Sequence, residues 1–158
     1  MIIKPWMVIG GVTLLVALGS NIFLPRDIKW FKRLRRPSWL TFEPLIPVFW
    51  SIAFVCGAWS AHIVWTQQPG RPGTWLLMGF YLLVEIVTVS FNPVLLRLRS
   101  LKAGTIIGAT GALLGFLLAL AVLPISGWAA LLLVPYLIWS PIGTYTTWEM
   151  SKLNPADA

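Results

Sequence analysis

Apolar residues run through this chain in long unbroken stretches. They show neither the alternation of a half-buried strand nor the one-sided stripe of a soluble helix. Five stretches are long enough for a helix to cross a bilayer, which takes about 20 residues. They are predicted near 5–25, 44–65, 74–96, 103–124 and 127–149. Prolines, glycines and charges punctuate them: Pro25-Arg26-Asp27, Gln67-Gln68-Pro69-Gly70, Arg97 to Lys102, and Pro124-Ile125-Ser126-Gly127. Such runs read as helices, because a bilayer admits only helices or closed barrels and barrel strands alternate. The expectation is a single all-α integral membrane domain over residues 1–158, a bundle of five transmembrane helices with no room for a second domain.

Composition agrees. Of 158 residues, 58% are hydrophobic and 11% charged, where a soluble domain carries about 25% charged residues. That excludes a soluble enzyme, a disordered chain and a disulfide scaffold. The single cysteine, Cys56, has no partner for an internal bridge.

A net charge of +7 suggests nucleic acid in a soluble protein, but here topology accounts for it. Loop one holds Arg26, Lys29, Lys32, Arg33, Arg35 and Arg36; loop three holds Arg97, Arg99 and Lys102; the tail holds Lys152. In a five-span chain these segments share a side, leaving Lys4 and Arg71 on the other. The positive-inside rule then places the N-terminus out and the C-terminus in. Lys4 and the Ala17-Leu18-Gly19 run resemble parts of a signal peptide, but the apolar run continues through Leu24 and six positive charges follow. An uncleaved first span is expected.

Ten tryptophans are distributed unevenly. Trp6, Trp65, Trp75 and Trp128 fall at outer span ends, and Trp30, Trp39 and Trp148 near the inner boundary, where amphipathic indoles favour the headgroup region. Trp50, Trp59 and Trp139 lie deeper and point to packed helix contacts or a flat apolar pocket. In span four, Gly104, Gly108, Gly111 and Gly115 form one stripe at i, i+4, i+7 and i+11, a spacing that lets a second helix approach closely. Its partner is either a neighbouring span or a second copy of the chain.

Span three carries Tyr81, Glu85, Thr88 and Asn92 at the same spacing. A mid-span carboxylate must be protonated or hydrogen-bonded and turned to protein or a wet cavity. Glu85 is therefore either a ligand anchor or proton relay, or interhelical glue to span five, with Tyr145 and Thr146 as partners. His62 has no second histidine, and Cys56 lies on another face; no metal site is expected, and His62 reads as exposed or hydrogen-bonded. Nothing supports nucleophilic catalysis.

Two segments resemble the TspO/MBR family of tryptophan-rich sensory proteins, also called translocator proteins or peripheral-type benzodiazepine receptors. Trp30-Phe31-Lys32-Arg33-Leu34-Arg35-Arg36-Pro37-Ser38-Trp39, with Pro47 and Trp50 after it, is similar to the family's W-[YF]-x-x-L-x-[KR]-P-S-W run. Pro135-Tyr136-Leu137-Ile138-Trp139, followed by Leu153-Asn154-Pro155, resembles its P-Y-L-x-W block and closing L-N. The resemblance implies a five-helix bundle that dimerises, with a pocket for flat hydrophobic ligands such as porphyrins and haem-like tetrapyrroles, bound as ligands and not as cofactors. Eukaryotic members bind cholesterol and synthetic isoquinoline carboxamides. By position, loop one is the lid, Trp30 and Trp39 line it, Trp50 and Trp139 form walls, and Gly143 stands where the family has a small alanine. Tryptophans matching Trp50 and Trp139 are implicated in light-dependent porphyrin breakdown in some bacterial members.

The departures are specific. The family's W-T-P-P reads Trp39-Leu40-Thr41-Phe42, its L-Y reads Ala53-Phe54, Leu95-Leu96 replace its paired phenylalanines, and Thr147 replaces an asparagine. Trp148 also replaces the tyrosine of the cholesterol-recognition pattern. They mark a divergent subgroup, expected to be cyanobacterial in type. The function expected is a receptor or carrier for tetrapyrroles in a bacterial inner membrane, with a regulatory or stress-sensing role, lipid and a second copy of the chain as partners, and no nucleic acid. Loop-one arginines are candidate partners for propionates. The alternatives are a light-dependent porphyrin-degrading enzyme and a scaffold acting on a protein partner through Gly108 and Gly111.

Overall fold

Proline and serine set the helix boundaries. The structure is a computed structural model that describes residues 3–19 and 25–158, and among them all regular structure is helical. Helix α1 spans Pro5–Gly19, α2 Pro25–Arg33, α3 Ile46–Gln67, α4 Pro72–Leu98, α5 Leu101–Val122, α6 Gly127–Leu132 and α7 Val134–Leu153. Short 3-10 turns, Glu43–Leu45 and Pro155–Asp157, precede α3 and follow α7. Pro72 occupies the first turn of α4, where its missing N–H costs nothing. Ser100 and Ser126 cap α5 and α6, their hydroxyls accepting from the Ala103 and Ala129 amides at 3.1 and 3.2 Å.

Four helical stretches are long and apolar enough to cross a membrane: Glu43–Gln67, Pro72–Leu98, Leu101–Val122 and Gly127–Leu153. α1 is apolar but has 15 residues; the rest of the first predicted span, residues 20–24, lies outside the described residues. The last predicted span runs on to Leu153 and is broken at Leu133 into α6 and α7. Pro135 lacks an N–H, so the Leu131 carbonyl has no partner four residues on and the helix restarts.

α5 lies between α4 and α7, and its glycines explain how closely. A Cβ built at Gly115 would strike the Tyr136 ring, one at Gly108 would lie 2.6 Å from the Thr144 hydroxyl, and one at Gly111 would lie 3.0 Å from the Tyr136 hydroxyl. At Gly104 it would strike Leu95. The glycine stripe thus receives α7, and at its start α4, of the same chain. One apolar core, with Val64, Tyr81, Val84, Leu118 and Tyr136, fills the middle of the bundle. A second, with Trp30, Leu34, Leu95, Leu101 and Met150, lies where α2 meets the ends of α4, α5 and α7.

That second core gathers the basic segments at one end. Arg99, at the left-handed turn after α4, pairs with the buried Asp27 of α2 at 3.3 Å. The Trp30 indole donates to Asp157 at 2.8 Å. Asn154 accepts from the Arg35 amide at 2.9 Å and donates to its carbonyl at 3.0 Å, tying the end of α2 to the end of α7. At the opposite end Trp65 and Trp75 meet edge-to-face at 4.8 Å, bracing the α3–α4 turn.

Because Gly115 leaves no space beside Tyr136, Gly115→Leu is expected to destabilise the protein by about 1–3 kcal/mol through overpacking. Gly143, whose added Cβ would have nothing within 4 Å, should accept Ala with little change. Thermal unfolding of both variants in detergent distinguishes a filled stripe from an empty one.

Candidate functional site

The aromatic residues of α3, α7 and the loop before α3 converge on Trp139. Its ring lies 4.6 Å from Phe49, 6.1 Å from Phe42 and 6.4 Å from Trp50, centroid to centroid. Phe42 and Trp50 both present edges, at 68° and 82°, the arrangement that ring quadrupoles favour. Trp50 also meets Tyr136 edge-on at 6.2 Å. From the loop, Trp39 stacks on Tyr145 at 5.9 Å, and Phe42 sits between Trp39 and Phe49. α3 and α7 thus supply two walls, and residues 39–42 cover them.

Beneath Trp50 is a cavity of about 40 Å³, reached by Tyr81, Glu85, Thr88, Gly115 and Tyr136. That is room for a water or two, against the 300–1,000 Å³ of a ligand pocket. The cleft is therefore closed, its space taken by its own aromatic rings. Outside it, an open groove of about 520 Å³ runs between Trp39 and the Pro141, Ile142 and Tyr145 side of α7.

The polar groups can be assigned by counting protons. Ser60 donates to the Ala129 carbonyl at 2.7 Å, so in the 2.6 Å contact with Tyr81 the tyrosine donates. Thr88 donates to the Val84 carbonyl at 2.7 Å, so Tyr136 donates to Thr88, also at 2.7 Å. Thr13 of α1 donates to Glu85 at 2.7 Å. Toward the cavity these tyrosines offer lone pairs, since their donors are committed elsewhere, and Glu85 presents its carboxyl oxygens. The free donor lies next door: the Trp139 Nε1–H is buried with no hydrogen-bond partner.

Several predicted residues fall elsewhere. Trp30 is buried, 4% exposed, in the second core and bonded to Asp157; it anchors loop one and does not line the cleft. Trp59 is exposed on the outside of α3. Gly143, one turn past Trp139, has open space beside it. Glu85 pairs with α1 and not with span five: Thr146 instead donates to the Ile142 carbonyl, and the bond from this face to span five comes from Thr88. Asn92 is exposed. His62 is half-buried, with a buried Nδ1 lacking a partner, not the exposed or hydrogen-bonded group expected. Phe42, Phe49, Tyr136 and Tyr145 were not singled out as site residues: Tyr136 belongs to the block that ends in Trp139, whereas nothing in the spacing of Phe42 and Phe49 marks them. Among the described residues no three metal-ligating side chains gather.

The sequence pattern described as the TspO/MBR family matches residues 8–153. The chain is similar to the tryptophan-rich protein TspO of Bacillus cereus, 29% identical over 136 residues that cover 85% of this chain and 87% of that protein. A protein of the same name from Chlorobaculum tepidum is 27% identical over 92% of each chain. Protein CrtK of Rhodobacter capsulatus is 24% identical over 81% of this chain and 80% of its own.

Thr13 ties α1 to α4 through its bond to Glu85, so Thr13→Val, which keeps the shape and removes the donor, should loosen α1 by about 1 kcal/mol. Hydrogen exchange is expected to quicken in α1 and not in α5. Unchanged exchange in α1 would show that apolar contact alone holds it.

Proposed function

The chain belongs to the TspO/MBR family of membrane proteins, and from that premise we propose that it is a receptor for a flat hydrophobic ligand of the tetrapyrrole class, held between α3 and α7 beneath residues 39–42. The protein crosses the inner membrane of a bacterial cell five times, N-terminus outside, and acts by sensing or carrying its ligand. A homodimer on this reading uses a face other than the glycine stripe, which α7 fills.

One observation carries the reading: the unpartnered Trp139 N–H at the centre of an aromatic cluster. A buried donor left unpaired costs about 1–3 kcal/mol. A flat ligand with an acceptor at its rim satisfies that donor while its face replaces the ring contacts around Trp139. Phe42 now occupies the space such a ligand needs, so binding displaces Phe42 and moves the loop. Arg36 is held within that loop by the Phe31 and Leu34 carbonyls at 2.8 and 2.6 Å and by Glu43 at 3.4 Å. It preserves the loop's shape, its guanidinium committed within the chain.

Titration of the detergent-purified protein with protoporphyrin IX, following tryptophan quenching and the Soret band, tests the site. Saturable binding is expected, weakened at least about tenfold by Trp50→Ala with Trp139→Ala, as loss of stacked aromatic contacts requires, and unchanged by Trp128→Ala. Phe42→Ala should tighten binding or speed it. Equal losses at Trp50, Trp139 and Trp128 would refute the cleft as the site.

A further inference from the structure

The chain has five acidic residues, and the structure commits each one. Glu85 is taken by Thr13 inside the bundle. The other four lie at the basic end: Asp27 pairs with Arg99, Glu43 with Arg36, Glu149 with Lys152, and Asp157 accepts from Trp30. That leaves Arg26, Lys29, Lys32, Arg33 and Arg35 of loop one, with Arg97 and Lys102 beside it, exposed and without an ion pair among the described residues.

These cations share one rim. Asp27 and Trp30 of α2, and Leu34 just past its end, are buried at i, i+3 and i+7, and Trp30 and Leu34 pack on Leu95, Leu96 and Leu101. Arg97 and Lys102 are sequence neighbours of those leucines. Arg26, Lys29 and Arg33, each one position before Asp27, Trp30 and Leu34, form an exposed stripe about 100° round the helix from that buried face, and the exposed Lys32 extends it on the far side. The anchoring leucines end the membrane-crossing stretches Pro72–Leu98 and Leu101–Val122, which holds the basic face of α2 at headgroup depth.

We propose that this rim is a binding surface for anionic phospholipid, with the phosphodiester groups of the surrounding leaflet bridging α2 to the α4–α5 turn. A bilayer presents those groups at this depth without any further partner, and basic residues near an anionic surface gain about 1 kcal/mol each. The surface is distinct from the aromatic cleft and does not depend on what the cleft binds.

The full chain, purified in neutral detergent and mixed with equal amounts of phosphatidylglycerol and phosphatidylcholine of identical acyl chains, is examined for retained lipid by native mass spectrometry. Phosphatidylglycerol is expected to be retained at least about tenfold over phosphatidylcholine, with the preference falling as ionic strength rises. Substituting Lys29→Gln, Lys32→Gln and Arg33→Gln together should remove most of it, and Arg97→Gln with Lys102→Gln should lower it independently. Lys4→Gln with Arg71→Gln, at the opposite end, should leave it intact. Equal retention of the two lipids, or a preference that survives both basic-end variants, would overturn the proposal. So would displacement of the lipid by inorganic phosphate, polyglutamate or single-stranded RNA at matched charge concentration.

Discussion

In a bilayer, helices gain nothing by hiding apolar surface from one another, because lipid is equally apolar. Association falls to close packing and to hydrogen bonds that lipid cannot offer. In this protein α4 carries that burden. Along one face, Tyr81 bonds Ser60 of α3, Glu85 accepts from Thr13 of α1, and Thr88 accepts from Tyr136 of α7. Each polar residue thus holds a different helix, and Ser60 passes the chain on to the Ala129 carbonyl of α6. The glycines of α5 do the complementary work of close packing, admitting Tyr136 so deeply that its hydroxyl reaches Thr88. Tyr136 in turn fixes Trp50 edge-on. The wall of the cleft therefore stands on the same contacts that hold the bundle together.

At the basic end a different logic applies, because backbone leaves the membrane there and must be organised by residues far apart in sequence. Trp30 and Asp157 are 127 positions apart, and Arg35 and Asn154 are 119 apart. These ties fix the start of the loop to the end of α7, the helix that also carries Trp139. Loop and wall are thus referenced to one helix, which places Phe42 against Trp139 without a direct polar bond between them.

The apolar runs made the long helices legible to within a few residues, since length and hydropathy decide whether a segment can cross a bilayer. The break at Leu133 was not read, although Pro135 signals it, because hydropathy carries no information on backbone hydrogen bonding. The i, i+4, i+7 spacing correctly put Tyr81, Glu85 and Thr88 on one face. Periodicity defines a face and not the neighbour it meets: Glu85 is open to a ligand or relay role or to a bond with span five, such as Tyr145 or Thr146, and the fold gives it Thr13 of α1. Trp30 illustrates the same limit: a motif places it in loop one, and only the fold reveals that it points into the second core. Trp50 and Trp139 do meet, whereas the rings that surround them, Phe42 and Phe49, carry no periodic or compositional signal that sets them apart.

The closed cleft on this reading is balanced and not rigid. Phe42 makes edge contacts with Trp139 and Phe49, each of a kind worth about 0.5–1.5 kcal/mol. Against them stands the unpartnered Trp139 N–H, whose burial without a partner costs about 1–3 kcal/mol. The two sums are comparable, so the ring that closes the cleft stabilises it by little more than the stranded donor opposes. An apolar plane alone would only exchange one set of ring contacts for another. A plane with an acceptor at its edge would recover the donor as well, and on the proposed function that difference would decide which molecules open the loop. Selectivity in such a site comes less from the tryptophans, which accept any flat surface, than from the single N–H they enclose.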